Sequence, residues 1–286
     1  MSNGGGRPGT AVHQKVDGVM SDHPAPEPAD FGTPNAARIF DYYLGGKDNY
    51  AADREAARRV LGTAPDIPLA ALENREFLKR VISFLVSEQG VSQFVDIGPG
   101  LPTRGNVHQL ARQYAPHARI AYVDNDAFVI EHGTALLHGL PAVTMVCGDL
   151  RKPERILSHP DLRALIDFSQ PVALLMTLVL QLIPPGDNPY AALATFRDAL
   201  SPTSFLVLSH VTDHERELEA LTEISSSYDL ACGQLTMRSY VEIARFFDGF
   251  ELVDPGVVFP PQWRPTAEYC LRDGAGWGYC GVGRKP

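Results

Sequence analysis

Acids and glycines recur at the ends of short apolar runs in this chain. In Phe94-Val95-Asp96-Ile97-Gly98-Pro99-Gly100 a carboxylate sits inside the end of a predicted strand, and two glycines form the turn before a predicted helix. Glycines placed there let a ligand lie against bare backbone. A dinucleotide fingerprint would need a further glycine at position 103, which is Thr103; the next glycine is Gly105. A carboxylate two residues ahead of the first glycine would also repel a pyrophosphate, so Asp96 suits a cationic ligand group instead.

Ile120-Ala121-Tyr122-Val123-Asp124 ends the next predicted strand with an acid able to accept two hydrogen bonds from ribose hydroxyls. Val146-Cys147-Gly148-Asp149-Leu150 ends the third in the same way. There Asp149 could accept from an exocyclic adenine amine while Leu150 packs on the ring. Acids at the carboxyl ends of three successive strands mark the edge where open α/β sheets bind ligands. Each also has a structural alternative as a strand-end acid capping a turn. Asp126 reads as the N-cap of the helix through Ile130; Asn125 either suits the turn or offers its backbone to adenine. Asp187-Asn188-Pro189-Tyr190 reads as a helix cap followed by a first-turn proline.

These groups need a scaffold, and the apolar pattern supplies it. From Gly90 short apolar runs alternate with amphipathic segments, the pattern of a mostly parallel sheet covered on both faces. The predicted strands are Gln93–Ile97, Ile120–Val123, Val143–Val146, Val172–Met176 and Ser204–Leu208, with helices carrying Val107, Leu110 and Tyr114, then Phe128, Ile130 and Leu137, then Ala191, Leu193, Phe196 and Leu200. A helix around Tyr240–Phe247 leads to strands at Phe250–Val253 and Trp277–Val282, joined without an intervening helix and so predicted antiparallel. Ahead of the sheet, Ile39, Phe40, Tyr43 and Leu44 share one helical face that Gly45 and Gly46 end. A second helix covers Ala51–Leu61, and a third begins near Pro68 and carries Leu72, Phe77, Leu78, Val81, Ile82, Leu85 and Val86. Residues 1–33 are rich in glycine and proline and are expected to be a disordered tail. The expected division is thus tail 1–33, helical cap 34–90 and sheet domain 91–286.

Composition narrows the partners. Twenty-five Lys and Arg against 34 Asp and Glu leave a net charge of −9 over 286 residues, which disfavours nucleic-acid binding. The longest apolar run, Val172 to Leu180, is about half of the roughly 20 residues a membrane span requires. The amino terminus lacks an apolar signal region, so a cytoplasmic location is expected. Cys147, Cys232, Cys270 and Cys280 form no CxxC pair, and the nine histidines form no HExxH or HxH, so no metal is expected.

The spacing of Asp96, Gly98 and Gly100 with Asp124 and Asp149 resembles class I S-adenosylmethionine-dependent methyltransferases. Asn-Ala-Ala-Arg-Ile-Phe-Asp-Tyr-Tyr-Leu-Gly-Gly-Lys-Asp-Asn-Tyr at 35–50, Asp96–Asn106, Tyr122–Asp126 and Trp263–Pro265 are similar to a bacterial S-adenosyl methyltransferase family long classed as a domain of unknown function. The resemblance spans about residues 33–286. It implies a Rossmann-like α/β fold with a seven-stranded sheet of order 3-2-1-4-5-7-6, strand 7 antiparallel, behind an N-terminal helical cap.

The resemblance further implies that Asp96 with Gly98, Pro99 and Gly100 holds the methionine end of S-adenosylmethionine, Asp124 the ribose and Asp149 the adenine. By the same likeness the stretch Met176–Leu178, with Thr177, passes the sulfonium, and Tyr43, Asn49 and Arg75 face the cofactor from the cap. Arg75 could alternatively pair with Glu73 or Glu76, and the run Tyr42–Tyr50 could be an ordinary helix stop with solvated Lys47 and Asp48. Gln181 stands where many small-molecule methyltransferases carry histidine. His210, at the end of the fifth strand, is then the nearest imidazole, either a general base or a plain strand-end residue. The methyl acceptor is left open. Phe40, Tyr42, Tyr43, Tyr50 and Trp263 suit a planar or apolar small molecule, and equally suit a core. Two rivals are a non-catalytic sensor of S-adenosylmethionine or its product and a nicotinamide enzyme, the latter opposed by Asp96 and Thr103.

Overall fold

The computed structural model describes residues 31–102, 105–233, 235–265 and 276–286. The tail through residue 30, Thr103 and Cys270 lie outside the described residues. The described end of that expected tail is tied down, with the Phe31 ring 4.4 Å from that of Tyr50.

Three helices come first, α1 (Ala36–Tyr43), α2 (Ala51–Thr63) and α3 (Ile67–Ser87). Asn35 caps α1 by accepting from the backbone N–H groups of Ala37 and Arg38, which explains why the helix starts there. The alternating part follows as β1 (Gln93–Ile97), α4 (Val107–Arg112), β2 (Arg119–Asp124), α5 (Ala127–Leu137) and β3 (Val143–Cys147). It continues through α6 (Pro153–Leu157), α7 (Pro160–Leu165), β4 (Ala173–Thr177), α8 (Pro189–Ala199) and β5 (Phe205–Val211). The chain ends with α9 (Leu218–Cys232), α10 (Tyr240–Ala244), β6 (Glu251–Leu252) and β7 (Gly278–Arg284).

The seven strands form one sheet of order β3-β2-β1-β4-β5-β7-β6. β1 to β5 are parallel, and β7 runs antiparallel to both β5 and β6. The fold is therefore the Rossmann-like one expected. β1 is buried along its whole length, because helices cover both faces of a parallel sheet. One face packs Val95, Ile97, Leu174 and Leu206 against α6, α7 and α8 through Ile156, Leu162 and Phe196. The other packs Phe94, Tyr122, Leu175 and Val207 against α3 and α4 through Phe77, Leu78 and Val107. Among the described residues no helix is long and apolar enough to cross a membrane.

Several sequence expectations need correction. Leu72 is 51% exposed: it shares the outward stripe of α3 with Lys79, while Ala71 and Asn74 turn inward. Tyr114 lies past the end of α4 and is also exposed. Trp263 is completely buried, its ring edge-on to Phe77 and Phe84, so it belongs to the core and not to an acceptor site. The short helices α6 and α7 were unexpected, and so was α9, which matters most. Through Ala220 and Ile224, α9 packs with Ile39 and Tyr43 of α1 and Val60 of α2 in a separate apolar cluster above the sheet edge. The helical cover is therefore built from both sides of the sheet sequence and is not wholly N-terminal. The excursion that carries α9 returns to its origin, since Arg238 N–H donates to the Val211 carbonyl at 3.4 Å.

Candidate active site

The carboxyl ends of β1 to β5 and the helices above them enclose a cavity of about 330 Å³, within the usual range for small-molecule sites. Gly98, Pro99, Gly100, Asp124, Asn125, Asp149, Leu150, Thr177, Tyr43 and Arg75 all line it, as does His210. The structure thus brings together most of the residues singled out in the sequence. Two of them do not reach the wall. Asp96 is 5% exposed and sits behind it. Asn49 is held elsewhere, its Nδ2 donating to Asp41 Oδ2 at 2.8 Å and to the Gly46 carbonyl at 3.1 Å.

The glycine turn is shaped by two constraints. Gly98 adopts φ +67° and donates its N–H to the Val123 carbonyl at 2.8 Å, which ties the turn to β2. A Cβ at Gly98 would lie 2.4 Å from Val179 Cγ2, so the side chain's absence is what lets the loop after β4 close over the turn.

Burial dominates the electrostatics of the two inner acids. It pushes the Asp96 carboxyl up to about 7, opposed by the Arg75 guanidinium and reinforced by Asp124. It pushes Asp124 up to about 6, against backbone N–H donors that include Asp126 at 3.0 Å. Arg75 is itself pulled below its ordinary value by burial, with Asp96 the strongest charge holding it up. Its Nε is buried without a hydrogen-bond partner, and its guanidinium carbon is 5.7 Å from the Phe40 ring centre. Glu76 pairs instead with Lys79 at 2.6 Å, which removes one of the alternatives left open for Arg75.

Between about pH 4 and 7 the folded chain therefore holds a proton on Asp96 that the unfolded chain has lost, so this group destabilises the fold increasingly as pH rises through that window. The variant Asp96→Asn should gain stability on the wild type between pH 4.5 and pH 7.5. Denaturant unfolding at the two pH values checks it, and a gap independent of pH refutes it.

At the end of β3, Asp149 is gripped by Arg151. Its Oδ1 accepts from the Arg151 backbone N–H and Nε, each at 2.9 Å, and its Oδ2 from Nη2 at 2.9 Å. Burial raises this carboxyl, but those hydrogen bonds and the charge of Arg151 outweigh it and leave the net shift downward. Asp126 caps α5 as the sequence suggested, accepting from Phe128 and Val129 N–H. Its Oδ2 also accepts from Asn35 Nδ2, which links the start of α1 to the loop after β2. Asn188 caps α8 with Pro189 in the first turn, again as read.

His210, the candidate for a general base, has neither ring nitrogen free. It is completely buried, and Arg238 Nη1 lies 2.7 Å from its Nε2. A guanidinium only donates, so Nε2 accepts, the proton sits on Nδ1, and Nδ1 donates to the Val211 carbonyl at 2.7 Å. Both ring nitrogens are engaged, and burial drives the imidazole down to about 3.

The half of the cavity away from the strand ends was missed in the sequence. Its wall comes from Ile67, Ala70 and Asn74 of α3, Ile224 and Tyr228 of α9, and Trp277. Ala220, Ile224 and Tyr228 recur at a spacing of four, which is the signal that could have revealed α9.

Comparison with known proteins agrees with this geometry. A family model described as S-adenosyl methyltransferase matches residues 22–286. The chain is similar to a crystal structure of a candidate methyltransferase from Thermobifida fusca, at 40% identity, TM-score 0.83, over 90% of this chain and 96% of that one. It is similar as well to a DUF574 family protein from Streptomyces avermitilis, at 34% identity and TM-score 0.84, over 89% and 98% of the two chains. The CMeT domain of the citrinin polyketide synthase shares the fold at 13% identity and TM-score 0.52, over 87% of this chain and 60% of that one. No curated protein matches the sequence.

Proposed function

The chain belongs to the S-adenosyl methyltransferase family, and from that premise we propose that it methylates a small, largely apolar acceptor held beneath α1, α2 and α9. S-adenosylmethionine is the cofactor, and what it supplies is an electrophilic methyl group on a sulfonium. The residues present fit it. Gly98 leaves a cradle that a Cβ would fill, and Arg75 is a buried cation with an orphaned Nε.

In this reading Arg75 pairs with the carboxylate of the methionine moiety, Asp96 balances the charge behind the turn, and Asp124 accepts from the ribose hydroxyls. Asp149 and Leu150 take the adenine, with Arg151 fixing the Asp149 carboxylate in place. Thr177 and Leu178 border the reacting centre. The chain's part in catalysis is to orient two reactants and exclude water, which accounts for a cover of packed helices over the strand ends. The observation that carries the small-molecule reading is the apolar wall formed by Ile67, Ala70, Ile224 and Trp277. The chain's net charge of −9 also disfavours a nucleic-acid acceptor.

Calorimetric titration with S-adenosylmethionine and S-adenosylhomocysteine tests the cofactor half. Saturable binding to the wild type is expected, weakened tenfold or more in Asp124→Ala, as befits the loss of a charge-assisted pair of hydrogen bonds. Unchanged affinity in a folded Asp124→Ala would remove the ribose from this strand end.

A further inference from the structure

Gln181 lies on the short turn Leu180–Leu182 that follows β4, is 6% exposed and forms part of the cavity wall. Its Nε2 donates to the Leu178 carbonyl at 2.7 Å. A carbonyl can only accept, so this bond fixes which end of the amide is which. The other end, Oε1, is buried and has no hydrogen-bond partner. Buried amide oxygens are rarely left unpaired, because nothing then replaces the water they have lost.

The turn that carries this oxygen is held from three directions. Thr236 N–H donates to the Gln181 carbonyl at 2.8 Å. Arg238 donates from Nη1 to the Leu180 carbonyl and from Nη2 to the Ile183 carbonyl, each at 2.9 Å. His210, closed to proton transfer, braces that same guanidinium. Next to it, Leu178 N–H donates to the Ser209 carbonyl at 3.0 Å, and the Ser209 hydroxyl donates to Asn74 Oδ1 at 2.7 Å. Asn74 also lines the cavity. A rigid polar corner thus lies beside an apolar and aromatic wall that includes Phe40, Tyr228, Met237 and Trp277.

We infer that Gln181 Oε1 receives a hydrogen bond from the O–H or N–H of the methyl acceptor, and that the substrate class is an apolar ring compound bearing such a group. The inference rests on reading the cavity as a methyltransferase site. Gln181 in this role selects and orients the substrate, and it takes no proton. A rigid buried acceptor discriminates sharply against a molecule of the same shape that lacks the donor, since binding that molecule leaves the oxygen unpaired.

The test uses 1-naphthol and naphthalene, which differ only in the hydroxyl, titrated into the full chain saturated with S-adenosylhomocysteine. The wild type should bind 1-naphthol about tenfold more tightly than naphthalene. In Gln181→Leu and in the unbranched Gln181→Met the two should bind alike, with naphthalene bound at least as tightly as in the wild type, because no oxygen is then left unpaired, and with affinity for S-adenosylhomocysteine kept within about twofold. Equal affinity for the two probes in the wild type overturns the inference. So does a preference that survives in both variants, or a chain that binds S-adenosylhomocysteine and neither probe. A wild-type chain that fails to bind S-adenosylhomocysteine overturns the cofactor reading itself, and is recognised before any probe is added.

Discussion

Gly98→Ala is expected to abolish binding of S-adenosylmethionine and to lower stability by about 2–5 kcal/mol. Two separate effects add. A non-glycine residue at φ +67° carries the strain of the left-handed region, and the new methyl would lie 2.4 Å from Val179 Cγ2 and 2.9 Å from Val179 Cβ. A valine is stiff and its Cβ sits close to the backbone, so relief requires the loop after β4 to retreat. That loop carries Leu178 and Gln181, so the damage reaches both halves of the cavity. Gly100→Ala is the control: its φ is +65°, but the nearest atom to its Cβ is Ala37 Cβ at 3.8 Å, so it bears the strain without the collision. The double variant Gly98→Ala with Val179→Ala should recover part of the stability lost in the single one. Denaturant unfolding and calorimetry measure both quantities. Wild-type affinity in Gly98→Ala would take the cofactor away from this turn.

Arg38→Met is expected to cost about 3–5 kcal/mol of stability, because it strands a buried carboxylate. Arg38 Nε donates to Asp53 Oδ2 at 2.9 Å, with side chains 2% and 0% exposed. Its Nη2 donates to the Thr33 carbonyl at 2.6 Å, and its guanidinium carbon lies 5.5–5.9 Å from the ring centres of Phe31, Tyr50 and Phe128. Lysine has no such fork and would restore only part of the loss. Replacing the whole pair, as Arg38→Met with Asp53→Leu, should not return to wild type either. Asp53 also accepts from the backbone N–H groups of Asn35 at 2.9 Å and Tyr50 at 2.8 Å, and those donors would be orphaned. Chemical denaturation of the three variants gives the ordering, and a loss below about 1 kcal/mol in Arg38→Met would show that the pair contributes no more than a surface bridge.

The parts of the molecule legible in the sequence share a physical cause. β1, β2, β4 and β5 are almost wholly buried and the edge strand β3 partly so, which makes each a largely apolar run closed by turn residues, with Asp96, Asp124 and Asp149 at the ends of β1, β2 and β3. Asp126 and Asn188 were readable because capping is local. What escaped depends on distant packing. The middle of α9 is three consecutive serines, which blur its apolar stripe, and that stripe meets α2 instead of the sheet. α6 and α7 have five and six residues, too short for a helical period to register. Arg75 has acids beside it in sequence, but only the rotation of α3 turns it inward toward Asp96. His210 reads as an available base until Arg238, far along the chain, closes its Nε2.

The path of the chain around α9 bears on how such proteins diverge. The two stems of that excursion meet at Val211 and Arg238, so a helix that walls the cavity can be lengthened, shortened or exchanged while the strand ends at its floor stay as they are. On the function proposed above, a change of acceptor through α9 would leave the shared methyl-transfer chemistry untouched. Chimaeras joined at those two stems would move acceptor preference between relatives as a single transplantable cassette.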